Sequence, residues 1–256
     1  MNEACYAFRE GSYQITDPDL AISYKDQEII IRLPKDLTPL LDGPEVSVHR
    51  FATGQIEKIY CLKEEMRHGE ARHFYPEGNL LWEGFYKEGK LHGPSTYFGS
   101  EGGLLSKTWF VQGRQEGIAY QYSRHGALLR MIRFKEGRLH GIQQSFYEKG
   151  KKKSEMCYDR GLLEGDLFLF FEGGGIKRSS HFSKGKKQGS DKIFNAAGIL
   201  IDEGCYDQGL CIGIHRRYFP SGVVAEEISY DISAGTQRKK WDLEGSLITG
   251  GSVGSI

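Results

Sequence analysis

No run of apolar residues in this 256-residue chain is longer than the five from Leu167 to Phe171, whereas a membrane-spanning helix needs about 20. The opening residues, Met1-Asn2-Glu3-Ala4-Cys5-Tyr6, hold neither a basic leader nor an apolar core. No classical export signal is read, and a cytoplasmic location is expected, with non-classical export as the other route. An excess of charge of either sign is also missing. With 34 basic and 34 acidic residues the formal net charge is zero, which removes the global field that would draw the chain to nucleic acid. His-Glu-x-x-His and Cys-x-x-Cys spacings do not occur, so no zinc site is read. The chain is expected to need no cofactor and to be no enzyme.

Glycine is what the chain has in excess, 34 residues, and it is periodic. Gly69, Gly93, Gly117, Gly141, Gly165, Gly189 and Gly213 fall at every twenty-fourth position without an insertion. Gly78, Gly102, Gly126, Gly150, Gly174, Gly198 and Gly222 keep the same step, as do Gly89, Gly113, Gly137, Gly161, Gly185 and Gly209, with Ser233 in the last copy. Such a period denotes stacked supersecondary units, none able to bury its apolar face alone. Five residues after each leading glycine comes Phe74, Phe98, Tyr122, Phe146, Phe170, Phe194 or Tyr218, and seventeen after it Tyr86, Phe110, Phe134, Tyr158, Phe182, Tyr206 or Tyr230. A weaker apolar column, Leu80, Leu104, Leu128, Ile176, Leu200 and Val224, is broken by Lys152.

Each unit reads as two short strands and two glycine turns, since Glu70 to Tyr75 and Leu80 to Tyr86 are too short for helices and end in Pro76-Glu77-Gly78-Asn79 and Lys87-Glu88-Gly89-Lys90. A glycine repeated at a turn implies a backbone of positive φ. The second aromatic column, the residues two before it (Gly84, Thr108, Ile132, Met156, Ser180, Gly204, Ile228) and the leucine column are expected to form the packing face, with the rings as the buried groups. Two strands per unit advance a sheet by about 10 Å, so seven units predict an elongated ribbon on the order of 70 Å long.

The pattern Gly-x4-aromatic-x3-Gly-x-Leu-x5-aromatic-x2-Gly-x-Leu-His-Gly, read from Gly69 to Gly93, resembles the MORN repeat, and most closely the bacterial MORN variant of the YwqK type. The resemblance covers residues 69 to 235. It implies an all-β fold, a single-layer antiparallel meander of consecutive β-hairpins, used as a scaffold for protein or lipid contacts. Bacterial members of that type imply an antitoxin-like or effector-binding role.

Before the first full copy, Gly54, Ile56 and Leu62 stand one repeat step ahead of Gly78, Leu80 and Tyr86, so the array is expected to run over 46–248. Residues 1–45 do not join the pattern. They read as a short irregular segment with one strand, Glu28 to Leu33, and a loop over 34–39, expected to cap the first hairpin, with a separate small contact module as the alternative; residues 249–256 read as a frayed tail.

Cys61, Cys157 and Cys205 share one repeat position, the closest two about 20 Å apart along the ribbon, whereas bridged Cα atoms lie within about 7 Å. Reduced structural thiols are expected. His68, His92 and His140 each precede a leading glycine; copies in consecutive units stand about 10 Å apart, too far to share a metal, so the His-Gly pair reads as turn chemistry. Gly173-Gly174-Gly175 falls at a hairpin turn instead of between a strand and a helix, which argues against a phosphate-binding loop. Glu64, Glu65, Glu116 and Glu164 lie scattered over hairpin ends.

The function is expected on the face opposite the packing side. The column before the second aromatic, Phe85, Trp109, Arg133, Cys157, His181, Cys205 and Ser229, is the least uniform, and variable positions on a rigid repeat are where partners are read. With Tyr75, Tyr147 and Phe171 it would give an apolar strip, and the protein-binding residues are taken to be Tyr75, Phe85, Trp109, Tyr147 and Phe171. The partner is another protein; cover by residues 1–45 or by a second copy of the chain, as a homodimer, is the alternative. The other reading is a membrane-surface adaptor binding acidic lipids through Lys151, Lys152, Lys153, Lys184, Lys186 and Lys187, with Arg238, Lys239 and Lys240 as a further basic cluster at a turn.

Overall fold

A computed structural model describes residues 6–9, 15–17, 20–25, 28–32, 45–231, 233 and 235–253. The chain divides into two compact units, Met1–Gln115 and Glu116–Ile256. The first holds β1 (Tyr6–Arg9), β2 (Ile15–Asp17), β3 (Leu20–Lys25), β4 (Glu28–Arg32), β5 (Glu45–Arg50), β6 (Ile56–Lys63), β7 (Met66–Phe74), β8 (Leu80–Lys87), β9 (Lys90–Phe98) and β10 (Leu104–Val111). The unit boundary falls inside β11 (Arg114–Tyr122). The second unit continues with β12 (Leu128–Lys135), β13 (Arg138–Leu139), β14 (Gly141–Phe146), β15 (Lys152–Asp159), β16 (Leu162–Phe170), β17 (Ile176–Ser183), β18 (Lys186–Phe194), β19 (Leu200–Asp207), β20 (Leu210–Tyr218), β21 (Val224–Asp231), β22 (Gly235–Trp241) and β23 (Leu247–Val253).

Every regular element among the described residues is a strand, and the fold is an antiparallel meander of consecutive hairpins. In the first unit the ladder runs from β5 to β10, each strand pairing with its chain neighbour. There β1 to β4 form a separate four-stranded sheet in the order β1-β4-β3-β2. The expected strand at Glu28 is β4, while the loop expected over 34–39 and Cys5 lie outside the described residues. In the second unit the meander ends with β22 paired to β23, so Thr249 to Val253, expected to fray, are held in a ladder.

Two turn types alternate. At the first, Tyr75 N–H donates to Asn79 O and Gly78 N–H to Tyr75 O, with Gly78 at φ 92°, a tight turn closed by a left-handed glycine. At the second, Glu88 and Gly89 both take positive φ, 50° and 77°, the signature of a type I′ hairpin whose twist matches that of the strands. The glycine was legible in advance; the left-handed residue before it was not, because Glu88, Gln112, Glu136, Arg160, Lys184 and Gln208 share no side-chain chemistry.

The tight turns are hydrogen-bonded to the preceding unit. Gly89 N–H donates to Arg67 O at 2.8 Å, and Gly113 to Leu91, Gly161 to Leu139, Gly185 to Leu163 and Gly209 to Lys187 repeat the bond. The other left-handed residue is held by the side chain just before a leading glycine. His92 Nδ1 accepts from Gln112 N–H at 3.4 Å, Glu116 Oε2 from Glu136 and Glu164 Oε2 from Lys184 at 2.7 Å, and Gln188 Oε1 from Gln208 at 3.0 Å. The histidine column is thus one version of an acceptor column, and Glu116 and Glu164 serve the same turns.

Register assigns the faces. Gly69 pairs with Tyr86, Ala71 with Gly84 and His73 with Trp82, and Gly84 then pairs with Ser95. One face, here the tyrosine face, therefore carries the second aromatic column and the residues two before it, as expected. Its deepest residues are not the rings of the two aromatic columns. Ala71 (1% exposed), Trp82, Ser95, Ala119, Gln143 and Asp191 are buried, while both aromatic columns are half-buried throughout. Two positions after the leading glycine, Ala71, Ser95, Ala119, Gln143 and Asp191 are buried, whereas Leu167 and His215 are half-buried. In the first unit Tyr60, Ala71 and Trp82 form a cluster, with Leu62, Leu81, Tyr86 and Leu91 packed against it.

Two glycines are needed for space. A Cβ on Gly84 would lie 2.3 Å from Trp82 Cζ2, and one on Gly204 would lie 2.4 Å from His215 Nδ1. Gly84→Ala is expected to lower the unfolding free energy by about 1–3 kcal/mol, the range for overpacking, as read by urea denaturation. The turn between β6 and β7 has Glu64 and Glu65 at φ 50° and 65°, with no glycine. Glu65→Gly is expected to raise stability by about 0.5–1 kcal/mol, since relief of a left-handed penalty of about 1–2 kcal/mol exceeds the added chain entropy; an unchanged or lowered melting temperature would contradict this.

Candidate functional site

The aromatic residues picked from the sequence are not gathered into one strip. Phe85 and Trp109 lie mid-strand on the reverse face, whereas Tyr75, Tyr147 and Phe171 sit in the longer turns. Trp109 is only 6% exposed, with the Lys107 ammonium 4.9 Å from its ring centre, and burial pushes the Lys107 pKa down. The Tyr75 hydroxyl donates to Phe98 O at 3.0 Å and that of Tyr147 to Phe170 O at 2.8 Å, so both rings fasten a turn to the following unit. Lys177 Nζ stands 5.8 Å from the half-buried Phe171 ring.

The lysine clusters also separate. Lys151, Lys152 and Lys153 lie at the turn entering β15, while Lys184, Lys186 and Lys187 flank the tight turn between β17 and β18. Successive turns of a meander fall at opposite ends of its strands, so the two groups stand a strand length apart, roughly 25 Å, and do not project from neighbouring points. Lys152 and Lys187 are engaged at 2.5 Å by Glu155 and Asp191. Arg238, Lys239 and Lys240 lie inside β22, not at a turn.

Two features of the second unit carry more chemistry. On the reverse face, β20 presents Leu210, Ile212 and Ile214 in succession, all exposed, Leu210 at 73%. Ile212 pairs with Cys205 and Ile214 with Ser229, which places them on the variable column's side of the sheet. On the tyrosine face, the row that holds His73, Trp82 and Tyr97 in the first unit, with ring centres 4.6 Å and 6.2 Å apart, turns ionic: Asp202 pairs with Arg217, Arg217 with Glu226 and Glu226 with Lys240. The columns four before the second aromatic and four after the leading glycine contain this change, Trp82 becoming Glu226 and Tyr97 becoming Arg217.

Asp191 lies deepest of the charged groups on β18. Arg178 binds it through Nε at 2.8 Å and Nη2 at 2.5 Å, Lys187 Nζ and Ser180 Oγ each at 2.5 Å. Burial alone would raise its carboxyl; the bonds from Arg178, Lys187 and Ser180 outweigh that and hold it well below the usual carboxylate range. Further along, the His215 ring stands 5.1 Å from that of Tyr206 and 4.8 Å from that of Tyr230, and burial, with Cys211 nearby, pushes the Tyr206 phenol up to about 12. Cys61, Cys157, Cys205 and Cys211 are free thiols. No helix among the described residues is long and apolar enough to cross a membrane.

The family model for the MORN repeat variant matches residues 67–88, 139–160 and 212–231. A comparison with curated proteins gave no match. Among solved structures, a crystal structure of TcdB2-TccC3-Cdc42 is similar at 12% identity and a TM-score of 0.16, and the Photorhabdus luminescens Tc holotoxin pore at 13% and 0.20. Each match covers 77% of this chain and 14% of the other. TM-scores this low carry no weight for fold or function.

The Asp191 cluster sets a pH dependence. Its carboxyl is depressed in the folded state relative to about 3.9 when unfolded, so its stabilisation is complete above that value and is lost as pH falls through it toward the folded pKa. Asp191→Asn is expected to cost about 3–5 kcal/mol at pH 7, the range for breaking a buried pair, and the gap to wild type should narrow below about pH 4. A gap constant from pH 7 to pH 3 in urea unfolding would contradict the assignment.

Proposed function

The chain is a MORN-type repeat protein, and from that premise we propose that it is a non-catalytic scaffold that binds another protein through the reverse face of its sheet. The observation that carries this reading is the Leu210–Ile212–Ile214 strip, three exposed apolar side chains in succession on β20. Outward apolar side chains in sequence along one strand form a contact surface, whereas single ones are ordinary. The hairpin scaffold holds the strip flat, so little ordering cost falls on association. The site moves from the aromatic residues expected at first because Trp109 is buried and the Tyr75 and Tyr147 hydroxyls are committed to neighbouring turns.

The test is affinity capture from the native host with wild type and with the double variant Ile212→Asp/Ile214→Asp. Both positions are exposed, so the variant is expected to melt within about 0.5 kcal/mol of wild type per site and to lose a protein that wild type retains above about 0.15 M salt, where lysine-mediated contacts are screened. Retention of that protein by the folded variant would refute the reading. Trp109→Ala is unsuited, because removing a buried indole costs about 3–5 kcal/mol and confuses unfolding with lost binding.

A further inference from the structure

On the tyrosine face of the second unit, three cations converge on one buried carboxylate. The Glu226 side chain is 8% exposed and receives Arg238, Arg217 Nη1 at 3.3 Å and Lys240 Nζ at 3.9 Å. Arg217, itself 65% exposed, also meets Asp202 through Nε at 3.3 Å. Arg216 is held by Glu227 at 3.0 Å and Glu203 at 3.9 Å.

Of these groups Asp202, Arg217 and Glu226 border a cavity of about 150 Å³, whose lining also includes Tyr206, His215 and Tyr230. The His215 Nε2 is engaged with Cys205 O at 2.8 Å, and its ring is wedged between the two tyrosine rings. The cavity thus has an aromatic wall on one side and an outward-facing guanidinium on the other. Arg217 is held through Nε and Nη1, which leaves N–H donors in the planar fork that matches a carboxylate.

The geometry points to a binding site for a small organic monocarboxylate, its carboxylate on Arg217 and its hydrocarbon part against Tyr206 and Tyr230. The outward fork of Arg217 selects this class, since a carboxylate matches its planar donors, whereas a phosphate dianion would bring more negative charge close to Asp202 and Glu226, and an ammonium ion would meet the guanidinium. The size agrees, since about 150 Å³ admits a molecule of a few carbon atoms and not a polymer. The site lies on the face opposite the β20 strip and does not rest on the protein-binding reading.

Titration of the full chain with propionate and benzoate, followed by backbone amide chemical shifts, tests the assignment. Saturable shifts centred on β19 to β21 are expected, with a dissociation constant of about 1–10 mM, the scale of a fragment making one charged contact. Methylammonium and inorganic phosphate should bind at least tenfold more weakly. Arg217→Gln should weaken propionate at least tenfold, whereas Lys239→Gln, on the reverse face, should leave it unchanged. Non-saturating shifts, tighter binding of phosphate or methylammonium, or an affinity unchanged in folded Arg217→Gln would overturn the proposal.

Discussion

In each tight turn two consecutive residues are held in the left-handed region, and the first of them is not a glycine. Such a residue costs about 1–2 kcal/mol unless something fixes it. In the turns at 112–113, 184–185 and 208–209 both N–H groups are bound by the preceding repeat, the glycine's by a backbone carbonyl and its neighbour's by the side chain just before a leading glycine. The two bonds must be satisfied together. A single inserted residue between acceptor and turn would reverse side-chain direction along the strand and misplace both, which is a physical reason for a repeat length that never varies from Gly69 to Gly213.

Burial follows from the same construction. The side chain two after the leading glycine is buried in five of the seven repeats, while the rings of both aromatic columns remain half in water. Positions beside that line are under weaker packing constraint, and the chain uses the freedom. In the first unit they hold a Trp82–Tyr97 aromatic contact; in the second they hold alternating charges from Asp202 to Lys240. The scaffold is indifferent to this exchange because neither set contributes to the turn bonds.

The period, the hairpins, the glycine φ values and the parity of the faces were legible because each depends only on spacing and on steric rules for one residue. Other features depend on what a side chain meets in space. Trp109 shares its column with half-buried Phe85, and nothing in the spacing marks it as covered. Tyr75 and Tyr147 read as free rings until their hydroxyls are found on the carbonyls of Phe98 and Phe170. The lysine clusters are a different case, since alternation of turns in a meander already puts residues 151–153 and 184–187 at opposite strand ends. Glu116 and Glu164 were legible as hairpin-end carboxylates, and their role needed only the recognition that histidine, glutamate and glutamine can all accept from the same turn amide.

Gly84 and Gly204 occupy one column and show how a repeat with fixed backbone bonds can still change its chemistry. Each omits a Cβ, and the space is filled by an indole from its own strand in the first case and by an imidazole from the next strand in the second. The indole brings an apolar neighbourhood, with its Nε1–H satisfied by Ser95 Oγ at 2.7 Å. The imidazole stands instead between Tyr206 and Tyr230, beside Arg217 and Glu226, and makes a polar cavity of the same position. Where this column holds glycine it leaves a socket, and the ring placed there decides whether that part of the tyrosine face is core or site.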